Sequence, residues 1–340
     1  MPEQDFRKKI TWINLFCCLT VICNHAINTG LFFPQKNAPD WLVFLEEELI
    51  PWLIRFNVPC FIMISAYLFY RNYEAGLLGA KWRRRAKSLL LPYLLWNLLY
   101  YLGYLAADRI PWLSELIGRP MTFRAADLVR AVLLYAYNPV FWFLFQVILL
   151  VGLTPLLYEI LRRRTGAAAF LLLLLILGHY RIEVRPLNLD ALFYYSLAAA
   201  AALHGKSLAE KAWSEKRAWT GLVLVEWGYL CSMLYYRTYW IPGILLFHGL
   251  AIPGLWLLLP ERLLGEPRDF MKQTFFVYAF HFIPTRFLGK LLAACLPENA
   301  VVACLLYLTM PLLILGFCTV IAAFLKRCCP FVWKLLSGFR

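Results

Sequence analysis

Apolar runs of about 20 residues recur along this chain, the length an α-helix needs to cross a bilayer. They fall at roughly 12–32, 49–70, 88–107, 140–160, 167–180, 188–204, 218–236, 241–259, 273–292 and 301–325. Backbone N–H and C=O groups inside lipid must pair within the chain, so the runs predict an all-α integral membrane protein. About ten transmembrane helices in one bundle consume most of the 340 residues, so a single bundle without an appended soluble domain is the simpler expectation. Composition agrees: 62% of residues are hydrophobic and 16% charged, against roughly 45–50% and 25% in water-soluble domains. The apolar stretch Leu128 to Asn138 reads as a re-entrant or interfacial helix before the fourth span.

Basic residues set the orientation. Arg7, Lys8 and Lys9 precede the first span, and Lys81, Arg83, Arg84, Arg85 and Lys87 follow the second. Arg162 to Arg164 follow the fourth, Lys206, Lys211, Lys216 and Arg217 the sixth, Arg262, Arg268 and Lys272 the eighth, and Lys326, Arg327, Lys334 and Arg340 the tenth. The positive-inside rule assigns these exits to the cytoplasm, so both termini are expected there: residues 1–11 as a leading segment and 326–340 as a tail. The first outer loop is acidic, with Asp40, Glu46, Glu47 and Glu48, whereas the loop carrying Arg109, Arg119, Arg124 and Arg130 runs against the rule. The net charge of +14 is therefore read as topological, with no nucleic-acid partner. The first run is too long for a cleaved signal and lacks a small-residue exit site, so it is read as a retained helix. The ten cysteines show no zinc or disulfide spacing; most lie in apolar runs, where a thiol acts as a small hydrophobe, and no metal is expected.

Ionisable and amide side chains at membrane depth are costly and mark polar cavities, partners or chemistry. His25 lies about 20 Å of helix rise beyond Trp12, and Asn14, eleven residues earlier, leaves nearly the same face about 16 Å nearer the cytoplasm. Asn24 and Asn28 extend this polar stripe. Imidazole titrates near neutrality and suits general-base work, and equally a structural bond or a proton relay. Arg83, Arg84, Arg85 and Lys87 serve either as an orientation signal or as a phosphate-binding cluster at the inner mouth of the bundle. Arg55 and Asn57 stand where they can clamp a polar ligand from the outer side, although Arg55 can also snorkel. Gln146 offers a polar wall in the fourth span, and Glu226, midway along the seventh, requires a partner and is a candidate to orient His25. His281 is a second candidate for the polar interior, ahead of His179, His204 and His248 near span ends. Ser65 lies in no nucleophile elbow and reads as packing.

The order of these motifs resembles the membrane acyltransferase type 3 family, whose first helix carries an arginine, ten intervening residues and a histidine. His25 matches the histidine, and Asn14 occupies the arginine position. The segments Phe56-Asn57-Val58-Pro59-Cys60-Phe61-Ile62-Met63-Ile64-Ser65-Ala66-Tyr67 and Arg84-Arg85-Ala86-Lys87-Ser88-Leu89-Leu90-Leu91-Pro92-Tyr93 look like the next two helix signatures. Phe141-Trp142-Phe143-Leu144 and Val277-Tyr278-Ala279-Phe280-His281 fit later ones, so the likeness covers essentially the whole chain.

The resemblance implies transfer of an acyl group, commonly acetyl, from cytoplasmic acyl-CoA to a hydroxyl of an envelope saccharide or glycolipid, in the inner (plasma) membrane of a bacterium. It gives His25 the role of catalytic base and Arg84, Arg85 and Lys87 the role of holding the donor, with Arg83 added from the basic run itself; Asn14 stands where the family arginine would meet that donor. Asn24, Asn28, Arg55, Asn57, Trp142, Gln146, Glu226 and His281 are the expected acceptor-side residues. Two readings from other classes stand beside it: a carrier for a lipid-linked sugar or organic anion that uses His25 and Glu226 as a polar pathway, and a noncatalytic envelope-assembly protein.

Overall fold

A computed structural model describes residues 1–35, 37–117 and 121–339, with side chains beyond Glu115 resuming at Met121; Arg119 and Arg340 lie outside the described residues. The described residues form helices and connections, with no β-strand among them. In chain order the main helices are α1 (Glu3–His25), α2 (Asp40–Tyr70), α3 (Ala75–Ala107), α4 (Ala125–Leu134), α5 (Pro139–Gly152), α6 (Thr154–Leu161) and α7 (Arg164–His179). They continue as α8 (Leu189–His204), α9 (Glu215–Thr238), α10 (Ile241–Leu258), α11 (Thr274–Phe280), α12 (Phe282–Cys295), α13 (Ala300–Cys328) and α14 (Pro330–Ser337).

Five stretches are long and apolar enough to cross a membrane: Glu3–Phe32, Asp40–Tyr70, Ala75–Ala107, Ile241–Leu258 and Ala300–Cys328. They coincide with five of the expected spans. The expected fourth span is preceded by α4, which is bent 45° from α5, and the pair passes the same test only when taken together. The remaining four segments are helical but differ from simple spans. Helices α7 and α8 have 16 residues each, α9 is diluted by Glu226 and by tryptophans and tyrosines, and the segment at 273–292 is divided at His281. The protein is thus an all-helical membrane protein, assembled partly from short and broken helices that lie against long ones.

Helix α1 packs against α2, α11, α12 and α13, which puts its polar stripe inside the bundle. One large core joins the inner half of α2 to α3, α5, α8 and α11, and a second joins α1 to α13. The segment 326–340 does not trail away: α14 turns back onto α3, where the Trp96 indole N–H donates to the Leu336 carbonyl at 3.0 Å. Gly338 ends α14 in the left-handed region (φ 73°), and a Cβ there would stand 2.7 Å from the Ser88 carbonyl oxygen.

Helices α9 and α10 form the closest helix pair. A Cβ on Gly221 would lie 2.7 Å from the Gly254 carbonyl oxygen, and one on Gly254 equally close to that of Gly221. Small residues let two backbones approach where lipid offers no hydrophobic drive for association. Gly221→Leu is expected to push the helices apart and cost about 1–3 kcal/mol, read as a lower thermal midpoint in lipid nanodiscs. A midpoint equal to wild type would mean that this close approach is not a stability determinant.

Candidate active site

A cavity of about 1290 Å³ opens among α1, α2, α3, α5 and α11, larger than the roughly 300–1,000 Å³ of ordinary small-ligand sites. Arg7, Arg71, Lys81, Arg84, Arg85 and Lys87 line it with Asn14, Ser65, Asn72 and Ser88, and Phe61, Phe143 and Tyr278 add an aromatic part. Several of these cations are already engaged. Arg85 donates to the Ser65 carbonyl at 3.0 Å, Lys81 to the Phe69 carbonyl, and Arg7 to Glu3. Arg84 and Lys87 make no hydrogen bond or ion pair with a described residue. A concave wall with this excess of positive charge attracts anions. Gly338 and Phe339, beyond α14, complete the lining.

Arg71 at the mouth is held by two carboxylates. Its guanidinium donates to Glu3 at 2.7 Å and to Glu210 at 2.7 Å and 2.8 Å, while the Tyr67 hydroxyl donates to Glu210 at 2.8 Å. Burial pushes the Glu210 carboxyl up, and the Arg71 guanidinium and Tyr67 hydroxyl outweigh that, so its pKa lies below the usual carboxylate range. A depressed folded pKa gives stability that is present above the unfolded value of about 4.3 and lost as pH falls through the folded one. Glu210→Gln is therefore expected to lower the thermal midpoint at pH 7, with the difference from wild type closing in acid. A difference that persists unchanged in acid would contradict this.

Deeper along α1 lies a pair of imidazoles. His25 closes α1 and is half-buried, its ring centroid 5.3 Å from that of His281 and 5.2 Å from that of Phe282, which meets it edge-on. His281 sits at the break between α11 and α12 and has no exposed surface. The break has a local cause: Pro284 has no N–H for the Phe280 carbonyl and its ring crowds that turn. The Thr285 hydroxyl and N–H instead bond the His281 carbonyl, at 2.7 Å and 2.9 Å. His281 Nδ1 stands 2.7 Å from the Tyr278 carbonyl, which can only accept. The proton is thus held on Nδ1, and Nε2, which has no partner, is the lone-pair nitrogen.

Aromatic rings separate the cavity from this pair. Tyr278 lies 4.8 Å from Phe143 and 6.3 Å from Phe61, and it stacks on Phe141 at 5.7 Å. Its hydroxyl donates to the Val140 carbonyl. The same residue therefore ceils the cavity with its ring and fixes the His281 tautomer with its carbonyl.

The structure sorts the residues singled out in the sequence. Asn14, Arg84, Arg85 and Lys87 meet on the cavity wall, and His25 and His281 meet beyond it. Arg83 stands apart: at about 100° per residue it is turned away from Arg84, stays exposed and is not part of the wall. Glu226 stands apart as well. It is exposed on the outer face of α9 between Val223, Trp227 and Leu230, because the glycines of α9 claim the inward face for α10. Gln146 is buried, but both ends of its amide are used: Nε2 donates to the Pro186 carbonyl at 3.1 Å and Oε1 accepts from Asn188 N–H at 2.9 Å, so it staples a loop. Trp142 is half-buried beside Phe143 and outside the cavity wall.

Of the residues expected on the acceptor side, Asn28 Nδ2 donates to the Ala303 carbonyl at 3.0 Å, and Asn24 is half-buried with its Oδ1 unpartnered. Asn57 is buried, its Oδ1 accepting from Val58 N–H at 2.7 Å. Arg55 is exposed, bonding the Tyr236 hydroxyl with its guanidinium 5.4 Å from that ring.

Two residues escaped the sequence reading. Glu46, counted among loop acids, has no exposed surface; one oxygen accepts from Asn28 N–H (2.9 Å), Thr29 N–H (3.1 Å) and the Thr29 hydroxyl (2.8 Å), which ties down the turn after His25. Its place four residues after the apolar Leu42 and four before Ile50 was the signal in the sequence. Arg286 lies on α12, close enough to His25 to act on it electrostatically. A charge inside the run 273–292 was the signal there.

Fold and site define an α-helical membrane protein with a cationic cavity beside its first helix and, at that helix's end, a histidine facing a second one at the α11–α12 break. Residues 7–326 match the family described as the acyltransferase domain, and the chain belongs to that family. It is 30% identical to the succinoglycan biosynthesis protein ExoH of Rhizobium meliloti over 187 residues, covering 52% of this chain and 48% of that one. It is also 26% identical over 118 residues, 35% of this chain, to Bacillus subtilis YfiQ, whose name provisionally assigns a membrane-bound acyltransferase. The chain spans about half the length of the first relative (48%) and less of the second (30%). No solved structure matches it.

Proposed function

We propose that this protein is an integral membrane O-acyltransferase that moves an acetyl group from acetyl-CoA to a hydroxyl of an envelope saccharide, with His25 as general base. The observation that carries the reading is the shared axis of α1: Asn14 lines the cationic cavity, and His25 stands about 16 Å further along the same face. In this reading about ten helices cross the inner membrane of a bacterium with both termini cytoplasmic, and the cavity opens to the donor's compartment. The relative named for succinoglycan biosynthesis supports a saccharide acceptor.

The donor's phosphates rest on Arg84, Arg85 and Lys87, and its thin arm runs past Phe61, Phe143 and Tyr278, so the ceiling rings must part to admit the thioester. Tethering at the phosphates turns a bimolecular encounter into positioning. His25 takes the proton of the acceptor hydroxyl as its oxygen attacks the thioester carbon, then returns it to the leaving thiolate. His281, with its lone pair on Nε2, stands beside His25 to orient it. A carrier pathway through His25 and Glu226 loses support, since Glu226 faces outward.

Protein purified into lipid and incubated with labelled acetyl-CoA and candidate saccharides is expected to yield labelled saccharide. Movement of the saccharide across the bilayer without a covalent product would overturn the reading in favour of the carrier.

A further inference from the structure

Arg286 is a cation within electrostatic reach of the reaction centre, and no described residue pairs with it. It follows Phe282 by four residues on α12, so the two side chains leave the same helical face. Phe282 meets His25 edge-on with ring centroids 5.2 Å apart, and Arg286 is within electrostatic reach of the same imidazole. It is exposed and makes no hydrogen bond or ion pair with a described residue. It also falls in the apolar run 273–292, where a guanidinium without a partner is costly unless a ligand or water meets it.

Acyl transfer needs N–H or O–H donors where the carbonyl oxygen gathers charge. Two of the other polar groups close to His25 have their N–H groups engaged elsewhere. His281 donates from Nδ1 to the Tyr278 carbonyl and offers only a lone pair at Nε2, and the Asn28 side-chain N–H is engaged by the Ala303 carbonyl. Arg286 has a planar fork of N–H donors and a fixed positive charge.

We propose that Arg286 is a catalytic residue that binds the oxyanion formed when the acceptor attacks the thioester; this rests on the acyltransferase reading above. The acceptor oxygen forms the new C–O bond while its proton passes to His25. The carbonyl π pair moves onto oxygen, where the guanidinium N–H groups receive it. Collapse re-forms the carbonyl, breaks the C–S bond, and the coenzyme thiolate takes the proton back from His25. The guanidinium is unchanged at the end.

The test compares steady-state kinetics of Arg286→Gln, Arg286→Lys and Arg286→Ala with wild type in nanodiscs, using acetyl-CoA and an active saccharide acceptor. Because Arg286 is exposed and unpartnered, all variants are expected to keep the wild-type thermal midpoint. Arg286→Gln is expected to lose about 10²–10³-fold in kcat, with both KM values within about threefold of wild type. Arg286→Lys is expected to recover part of the loss, and guanidinium ion at millimolar concentration to rescue Arg286→Ala. An unchanged kcat overturns the proposal. So does a raised acceptor KM with kcat restored at saturation, which would make Arg286 a binding group for an anionic acceptor. A wild-type protein that acylates no acceptor overturns the acyltransferase reading itself, and that result is distinguishable because it precedes any variant.

Discussion

His25→Ala is expected to abolish acyl transfer while the protein still folds and binds its donor. The expectation follows from position. His25 is the last residue of α1, half-buried and outside both main cores, so truncating it removes the ring packing against His281 and Phe282 without opening a core. The donor's phosphates are assigned to Arg84, Arg85 and Lys87 on α3, at the cavity wall that Asn14 shares about 16 Å back along α1 from His25, so their grip should be untouched. Loss of a positioned base costs about 10²–10⁴-fold. Labelled product and acetyl-CoA binding should be measured on the same preparation. Turnover equal to wild type would end the base assignment, and loss of both turnover and donor binding would point to a role in shaping the cavity.

Removing Arg84 and Lys87 together is expected to weaken acetyl-CoA binding by roughly a hundredfold at low salt, about 1.4 kcal/mol for each charge-assisted hydrogen bond to phosphate removed. These two cations line the cavity without a hydrogen-bond or ion-pair partner among the described residues, so their loss strands no carboxylate there. Arg85 and Arg71 are less clean probes, since Arg85 also holds the Ser65 carbonyl and Arg71 holds Glu3 and Glu210. Arg83→Ala is the control: it removes one positive charge of the same basic run from outside the wall. Raising salt should weaken wild-type binding and leave the double variant less affected, because screening acts on charges that remain. Donor affinity that is unchanged in the double variant, or that falls equally in Arg83→Ala, would reject the cavity as the donor site.

Much of this was legible in the sequence because lipid imposes a one-dimensional rule. Apolar run length marked where helices form, and all ten expected segments are helical. The face shared by Asn14 and His25 followed from helical periodicity alone, and α1 is continuous between them. The basic cluster was legible as a cluster, but its members were not equivalent: Arg84 and Lys87 line the cavity and Arg83 does not.

Hydropathy records depth, not rotation. It could not say that the glycines of α9 would take α10 as their neighbour and turn Glu226 outward, nor that an acid read as loop, Glu46, would be drawn inside to hold the turn after His25. It could not show that Pro284 breaks a span at His281 and thereby faces one imidazole toward another. Sequence by itself determined a helical membrane chain with a histidine and a basic cluster placed along it. Which side chains meet was decided by tertiary packing, because the rotation of each helix about its axis depends on the neighbours it finds.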